Sequence, residues 1–260
     1  MHGSPCQDFS LIGLRRGGEK GSGTRSSLLF ETIRIISEMK SKPKIVIWEN
    51  VTGVLNKKMI KTFFNYLSEM EKLGYVNKYE ILNAMDFGIP QNRNRVFIVS
   101  VLHSNDFSFD NLIKRKTRPI DEFLEKDVKS IYEVTQKSII TKIQKYIKWE
   151  NNPNYPIDTF SRRVIFIKDY AYTIPTKQQR IPNSGFISLG NGRFRYLTER
   201  ECFRLMGFLD EDFDKLKELY FDKKGEKSSI LYKQAGNSIV VNVLEGILQN
   251  ICIPIFLSKN

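Results

Sequence analysis

The segment Ile45-Val46-Ile47-Trp48-Glu49-Asn50-Val51 decides the fold of this chain. Its first four residues, three of them β-branched and one aromatic, read as a buried strand of an α/β sheet. Glu49 follows at the carboxyl end of that strand, where open α/β sheets gather their functional side chains. A glutamate there is either a solvated surface group or a site residue, and the location favours the second.

Toward the amino terminus, Leu29, Ile33 and Ile36 recur at helical spacing within residues 26–39, and Lys40 to Pro43 break the pattern. Helix, turn and buried strand therefore follow one another. Residues 13–25 hold five glycines and no periodic apolar face, which predicts a mobile loop. It is either a plain connector or a lid whose arginines close over an anionic substrate. Ahead of it stands Cys6, between Pro5 and Gln7. Taken alone, such a cysteine is either a small buried hydrophobe or a nucleophile.

Toward the carboxyl terminus, residues 59–73 predict an amphipathic helix with Ile60, Phe63, Phe64, Leu67 and Met70 on one side and Gly74 as its stop. A strand around Tyr79 to Leu82 is expected next. Asp86 to Pro90 form a turn into Gln91-Asn92-Arg93-Asn94-Arg95, and Val96 to Val101 read as a second buried strand. In an extended segment Arg93 and Arg95 share one face and can aim two guanidiniums at one target.

The 260 residues suffice for a large α/β domain with a smaller companion. A formal net charge of +12 points to an acidic polymer as partner. Cys6, Cys202 and Cys252 lie far apart in no CxxC or Cys/His pattern, so neither a disulfide framework nor a metal site is expected. No apolar run is long enough to span a bilayer, and residues 1–25 lack the apolar stretch of a signal peptide; the expected location is cytoplasmic.

From about Asn105 the regular alternation stops. The expected division is 1–105 as a catalytic domain, 106–231 as a smaller domain, and 232–260 returning to the first. Residues 136–192 carry nine Lys/Arg against three Asp/Glu, interleaved with Tyr146, Trp149, Tyr155, Phe160, Tyr170 and Tyr172, a mixture suited to nucleic acid. Ile139, Ile140, Ile143 and Ile147 equally describe an ordinary helix with lysines outside. Thr198 and Glu201 form a capping box that opens a short helix, with Cys202, Leu205 and Met206 on its apolar side. Gln234 to Ser238 then precede a helix with Ile239, Val243, Leu244 and Ile247 inward, placing Gly236-Asn237-Ser238 at a helix start.

In this order, Pro5-Cys6-Gln7, Glu49-Asn50-Val51, Gln91 to Arg95, Arg195 to Phe208 and Gly236-Asn237-Ser238 resemble the cytosine-C5 DNA methyltransferases, over roughly residues 1–103 and 193–252. The resemblance implies an α/β fold: a Rossmann-like S-adenosylmethionine-dependent methyltransferase sheet with a smaller target-recognition domain at 106–231. It implies methylation of carbon 5 of a cytosine flipped out of double-stranded DNA, as in restriction-modification. Cys6 would be the nucleophile, Glu49 the group holding the ring, Arg95 its neighbour near the cysteine, and Arg93 their support. Pro5, Leu28, Asn237 and Ser238 would contact the cofactor, and Gln7, Asn50, Val51 and Gln91 the substrate. Family members begin with a Phe-x-Gly-x-Gly strand and acidic strand ends for the cofactor. These are not found here, so the sheet is expected to be incomplete and a separate N-terminal methyltransferase subunit is an expected partner. An inactive DNA-binding remnant and an RNA cytosine methyltransferase are the alternatives.

Overall fold

The computed structural model describes residues 1–3, 29–178, 184–220 and 227–257, the last of these by backbone alone beyond Ile251. The predicted loop at 13–25, together with Pro5, Cys6, Gln7 and Leu28, lies outside the described residues. The chain divides into two compact units. One comprises Met1–Asn83, Asn94–Lys114 and Glu245–Asn260, the other Ala84–Arg93 and Arg115–Leu244.

In the first unit, helix α1 (Leu29–Glu38) buries Leu29, Phe30, Ile33 and Ile36, while Arg34 pairs with Glu31 and Glu38 on the solvent side. Strand β1 (Ile45–Val51) follows, then helix α2 (Ile60–Lys72). Asn56 Oδ1 accepts from the N–H groups of Lys58 and Met59 just ahead of α2. Phe63, Tyr66, Leu67 and Met70 make the buried stripe of this helix. Phe64, expected in that stripe, is half exposed, because it sits a full 100° around the helix from Phe63; Tyr66 takes the inward place. Gly74 ends the helix with φ +93°, and a Cβ there would stand 2.6 Å from the His103 ring. Only glycine meets both demands.

Strand β2 (Tyr75–Asn83) and the equally long β4 (Asn94–Leu102) complete an antiparallel sheet in the order β1-β4-β2, with Trp48 opposite Ile98 and Tyr79 opposite Ile98 from the other side. The free side of β1 is met by His2, which bridges Trp48 in parallel: its N–H donates to Ile47 O at 2.9 Å, and its carbonyl accepts from Glu49 N at 3.3 Å. β1 is thus the outer strand of the sheet, and on its far edge the described residues add only this one bridge at Trp48. Val46, Trp48, Val96 and Ile98 pack with α1 and α2 into one core. The His2 ring stacks on Trp48 and lies 3.0 Å from the Tyr66 hydroxyl; burial first, and the amino-terminal charge second, lower its pKa to about 4.

The second unit opens with a turn at Ala84–Asp86 and the two-residue strand β3 (Gln91–Asn92), which pairs in parallel with β5 (Ala171–Tyr172). Helix α3 (Lys137–Asn151) buries Ile139 and Ile143 against Val164, Phe186, Phe194 and Tyr196, leaving its lysines outside. A hairpin, β6 (Ile187–Gly190) and β7 (Arg193–Arg195), leads to helices α4 (Glu199–Arg204), α5 (Asp210–Tyr220) and α6 (Ser229–Asn237). The capping box of α4 is complete: Thr198 Oγ1 accepts from Glu201 N, and Glu201 accepts from Thr198 N. Cys202 is fully buried, which pushes its thiol pKa well up and makes it a core residue. Helix α7 (Val241–Leu257) closes the chain. Val243, Ile247 and Ile251 are its buried row, Val240 is buried just ahead of it, and Ile239, also ahead of the helix, and Leu244, both expected inward on a helix, are only partly covered.

Candidate active site

Two constellations hold the described residues that the sequence singled out, one in each unit. In the first, Val51 faces Arg95 and Glu49 faces Phe97 across the β1–β4 ladder, so Glu49 and Arg95 are diagonal neighbours. Arg95 Nε reaches Glu49 Oε1 at 3.2 Å, and both side chains are only about one-seventh exposed, at 14% and 13%. Arg95 Nη1 also donates to Asn94 O at 2.7 Å. An ion pair this sheltered is screened far less than a surface pair, so each partner restricts the other's rotamer. Asn50, next in line, is buried and accepts from the N–H of Val51 through Oδ1 at 2.8 Å; it shapes the strand end, while Val51 packs on the helical core.

In the second unit, Gln91 is fully buried with both ends of its amide engaged. Nε2 donates to Leu205 O at 2.6 Å, and Oε1 accepts from Ile174 N at 3.1 Å. Arg93 is buried to 4% and bridges three carbonyls: Ser238 O at 2.9 Å, Gly236 O at 3.1 Å and Ile174 O at 3.4 Å. The end of α6 is where a helix leaves acceptors unsatisfied and where its dipole favours a cation, so this guanidinium meets a ready-made set of partners. Arg93 and Arg95, two residues apart, thus engage different groups: backbone carbonyls of the 236–238 turn in one case, the Glu49 carboxylate in the other.

The Gly236–Ser238 segment departs from expectation in one respect. It ends helix α6, with Ser238 as the cap, instead of opening the next helix. Two features lay behind this. Leu231, Tyr232 and Ala235 carry an apolar face up to Gly236, so the helix runs through the motif. Gly236 also passes so close to the 175–176 backbone that a Cβ would lie 2.6 Å from Thr176 N. Asn237 is left exposed, and Ser238 Oγ donates to Gln234 O at 2.7 Å. Among the described residues, Gln234 Oε1 is a buried acceptor with no hydrogen-bond donor.

Beside this turn lies a buried polar network that sequence reasoning caught only through its capping box. Arg195 grips Glu201 with two bonds of 2.8 Å, and Glu201 also accepts from Glu125 N. Tyr132 donates to Glu199 at 2.5 Å, and Glu199 accepts from Ser228 N at 2.6 Å. Desolvation raises the Glu199 pKa, its hydrogen bonds opposing the shift, and raises that of Tyr132 as well. No local pattern marks Arg195 as buried; the spacing from Thr198 to Glu201 was the only available signal. Among the described residues, no group of His, Cys, Asp and Glu side chains is placed to hold a metal ion, and no helix is long and apolar enough to cross a membrane.

The C-5 cytosine-specific DNA methylase family model matches this chain over residues 1–252. The chain belongs to that family. It is 38% identical over 252 residues to the type II methyltransferase M2.ScrFI of Lactococcus lactis subsp. cremoris, covering 95% of this chain and 64% of that protein. It is 33% identical over 260 residues to the orphan methyltransferase M.SssI of Spiroplasma monobiae, covering 95% of this chain and again 64% of the relative. This chain therefore spans less than two thirds of the length of these two relatives. Among solved structures, the S. pombe Dnmt2 methyltransferase shares the fold with a TM-score of 0.69 at 18% identity, covering 98% of this chain and 77% of that one. The Entamoeba histolytica methyltransferase EhMeth gives 0.70 at 17% identity, covering 96% and 76%. The expected S-adenosylmethionine-dependent methyltransferase fold class is thereby established.

Proposed function

We propose that this chain carries the catalytic and recognition parts of an enzyme that methylates carbon 5 of cytosine in double-stranded DNA. The observation that carries the reading is the Glu49–Arg95 pair at 3.2 Å across β1 and β4 in a chain of this family. Carbon 5 of cytosine is a poor nucleophile. Addition of the Cys6 thiolate to carbon 6 makes it one, and Glu49, held by Arg95, offers a carboxyl group to ring N3 and the exocyclic amine. With Arg95 against cytosine O2, charge developing on the ring meets a fixed cation. After methyl transfer, loss of the proton on carbon 5 restores the double bond and expels the Cys6 thiolate. The base must leave the duplex for these groups to reach it.

S-adenosylmethionine, when bound, supplies the electrophilic methyl group. The 234–238 turn suits it: Asn237 offers an exposed carboxamide to a ligand rich in N–H and O–H donors. Asn237 and Ser238, with Pro5 and Leu28, are the residues proposed to hold it, and Arg93 fixes the backbone that carries the first two. Gln91 serves as a brace, and Gln7, Asn50 and Val51 shape the base pocket. Because the two bacterial relatives are longer, the rest of the cofactor site is proposed to come from polypeptide outside these 260 residues, whether contiguous or a separate subunit.

The test supplies labelled S-adenosylmethionine and unmethylated duplex DNA to the chain, alone and with an added Phe-x-Gly-x-Gly protein. Incorporation that Cys6→Ser abolishes, and that Glu49→Gln lowers roughly 100-fold or more, is expected. Equal transfer by Cys6→Ser overturns the mechanism. Binding of DNA without transfer under any mixture makes the chain a remnant, and label entering transfer RNA instead of DNA makes the substrate RNA.

A further inference from the structure

The DNA-methylating reading above leaves open which residues distinguish one base sequence from another. In the second unit, a cavity of about 260 Å³ opens beside α3 and β5. Its walls are the rings of Tyr146, Phe166, Tyr170 and Tyr172. Tyr146 stands 5.8 Å from Phe166, and the hydroxyls of Tyr170 and Tyr172 are 3.3 Å apart. Glu150, one turn beyond Tyr146 on α3, joins Lys168 and Asp169 in lining the same space. All three are exposed, and none makes a hydrogen bond or ion pair with the described residues.

The neighbouring surface is basic. Arg162 lies 5.4 Å over the Trp149 ring, which touches Tyr146 at 5.7 Å. Lys142 and Arg163 lie over Phe160, and Lys148 over Tyr155, so these cations rest on aromatic faces, whereas Lys145 meets Asp158. Such a surface suits a phosphate backbone. Carboxylates in its midst do not, because they repel phosphate and accept hydrogen bonds only. They match one feature of DNA: the exocyclic amines of cytosine and adenine at the groove edge, just as a lysine matches the O6 and N7 acceptors of guanine. A cage for a small organic cation is the competing occupant, and Lys168 inside the ring of tyrosines speaks against it.

We propose that this cavity is a base-reading site, in which Lys168 donates to a guanine edge and Asp169 and Glu150 accept from cytosine or adenine amines. Tyr146, Tyr170 and Tyr172 give the pocket its shape, and Arg162 and Lys148 hold the flanking phosphates. The assignment rests on the proposed function and adds the specificity-determining residues to it.

The experiment selects the full chain, with its complementing protein if activity requires one, against duplexes randomised around a fixed cytosine, and sequences the bound fraction. Wild type enriches a motif. Asp169→Asn and Lys168→Ala are expected to lower discrimination at one base pair each, by roughly tenfold or more, with other positions unchanged. Arg162→Ala is expected to weaken all duplexes alike and to flatten the salt dependence by about one counterion. If Asp169→Asn and Lys168→Ala enrich the wild-type motif with unchanged ratios, or weaken every duplex equally, the base-reading assignment is overturned while the methylating function stands. If wild type enriches nothing, the proposed function falls and this inference with it. Tight binding of tetramethylammonium that Tyr172→Ala abolishes would instead make the cavity a cation cage.

Discussion

Gly236→Ala sets two effects of opposite sign against each other. Gly236 lies in the last turn of α6 outside the left-handed region, so helix propensity alone predicts that alanine stabilises the protein by about 1 kcal/mol. The new Cβ, however, would stand 2.6 Å from Thr176 N, 2.7 Å from Pro175 C and 2.8 Å from Pro175 O. All three atoms are backbone and cannot swing aside like the end of a long side chain. Relief requires moving α6 or the 175–176 segment, and overpacking of this kind costs about 1–3 kcal/mol. Movement also stretches the 3.1 Å bond from Arg93 to Gly236 O, a charge-assisted bond in a buried place worth roughly another 1.5–3 kcal/mol if lost. The crowding wins, with a net destabilisation of about 1–3 kcal/mol. At about 2–4 °C per kcal/mol for a protein of this size, the melting midpoint falls by roughly 5 °C. Circular dichroism melts check this; under the proposed cofactor role of Asn237 and Ser238, which move with Gly236, a titration with S-adenosylmethionine should also show weaker binding. A variant as stable as wild type, or more so, would refute the close approach and leave only helix propensity.

Two other perturbations follow from the same geometry. Arg195→Met leaves the fully buried Glu201 carboxylate without its two-pronged partner, and destabilisation of about 3–5 kcal/mol is expected in urea titrations; a change below about 1 kcal/mol would mean that water reaches Glu201. The pH profile tests His2. Its folded pKa of about 4 lies below its ordinary 6.5, so its contribution to stability is complete above pH 6.5 and is lost as pH falls toward 4. At 1.36 kcal/mol per pKa unit, the loss amounts to about 3 kcal/mol at most. His2→Gln keeps polar atoms near Tyr66 and Thr32 and should flatten the profile between those limits; an unchanged slope would assign the acid sensitivity to other groups.

Much of the first unit could be read from local patterns because its elements follow the rules of single helices and strands. The Ile45–Trp48 run gives a buried strand, Leu29–Ile36 and Phe63–Met70 present one apolar stripe each, and Gly74 stops a helix in a conformation few other residues adopt. The misplacements were of two kinds. Phe64 and Leu244 are apolar residues at the margin of a stripe, where hydrophobicity alone does not say which neighbour turns inward. Gly236-Asn237-Ser238 was placed at the wrong end of a helix because Gly, Asn and Ser serve both ends, and only the packing of α6 decides between them.

For the site, it was the order of short motifs along the chain, through their resemblance to the cytosine-C5 DNA methyltransferases, that nominated Glu49, Arg93, Arg95 and the 236–238 turn. Spacing also put Arg93 and Arg95 on one face. What each arginine binds depends on groups distant in the chain. Glu49 is 46 positions from Arg95 and reaches it only through the β1–β4 register, while the carbonyls that Arg93 holds lie 143 and 145 positions away. The same holds for the tyrosine-walled cavity, where α3 and residues 165–172 meet. Sequence determined the elements and the chemical inventory, because those depend on neighbours within a turn or a strand. Tertiary structure alone decided the pairing of charges, because a buried guanidinium takes whichever acceptors the fold leaves unsatisfied beside it.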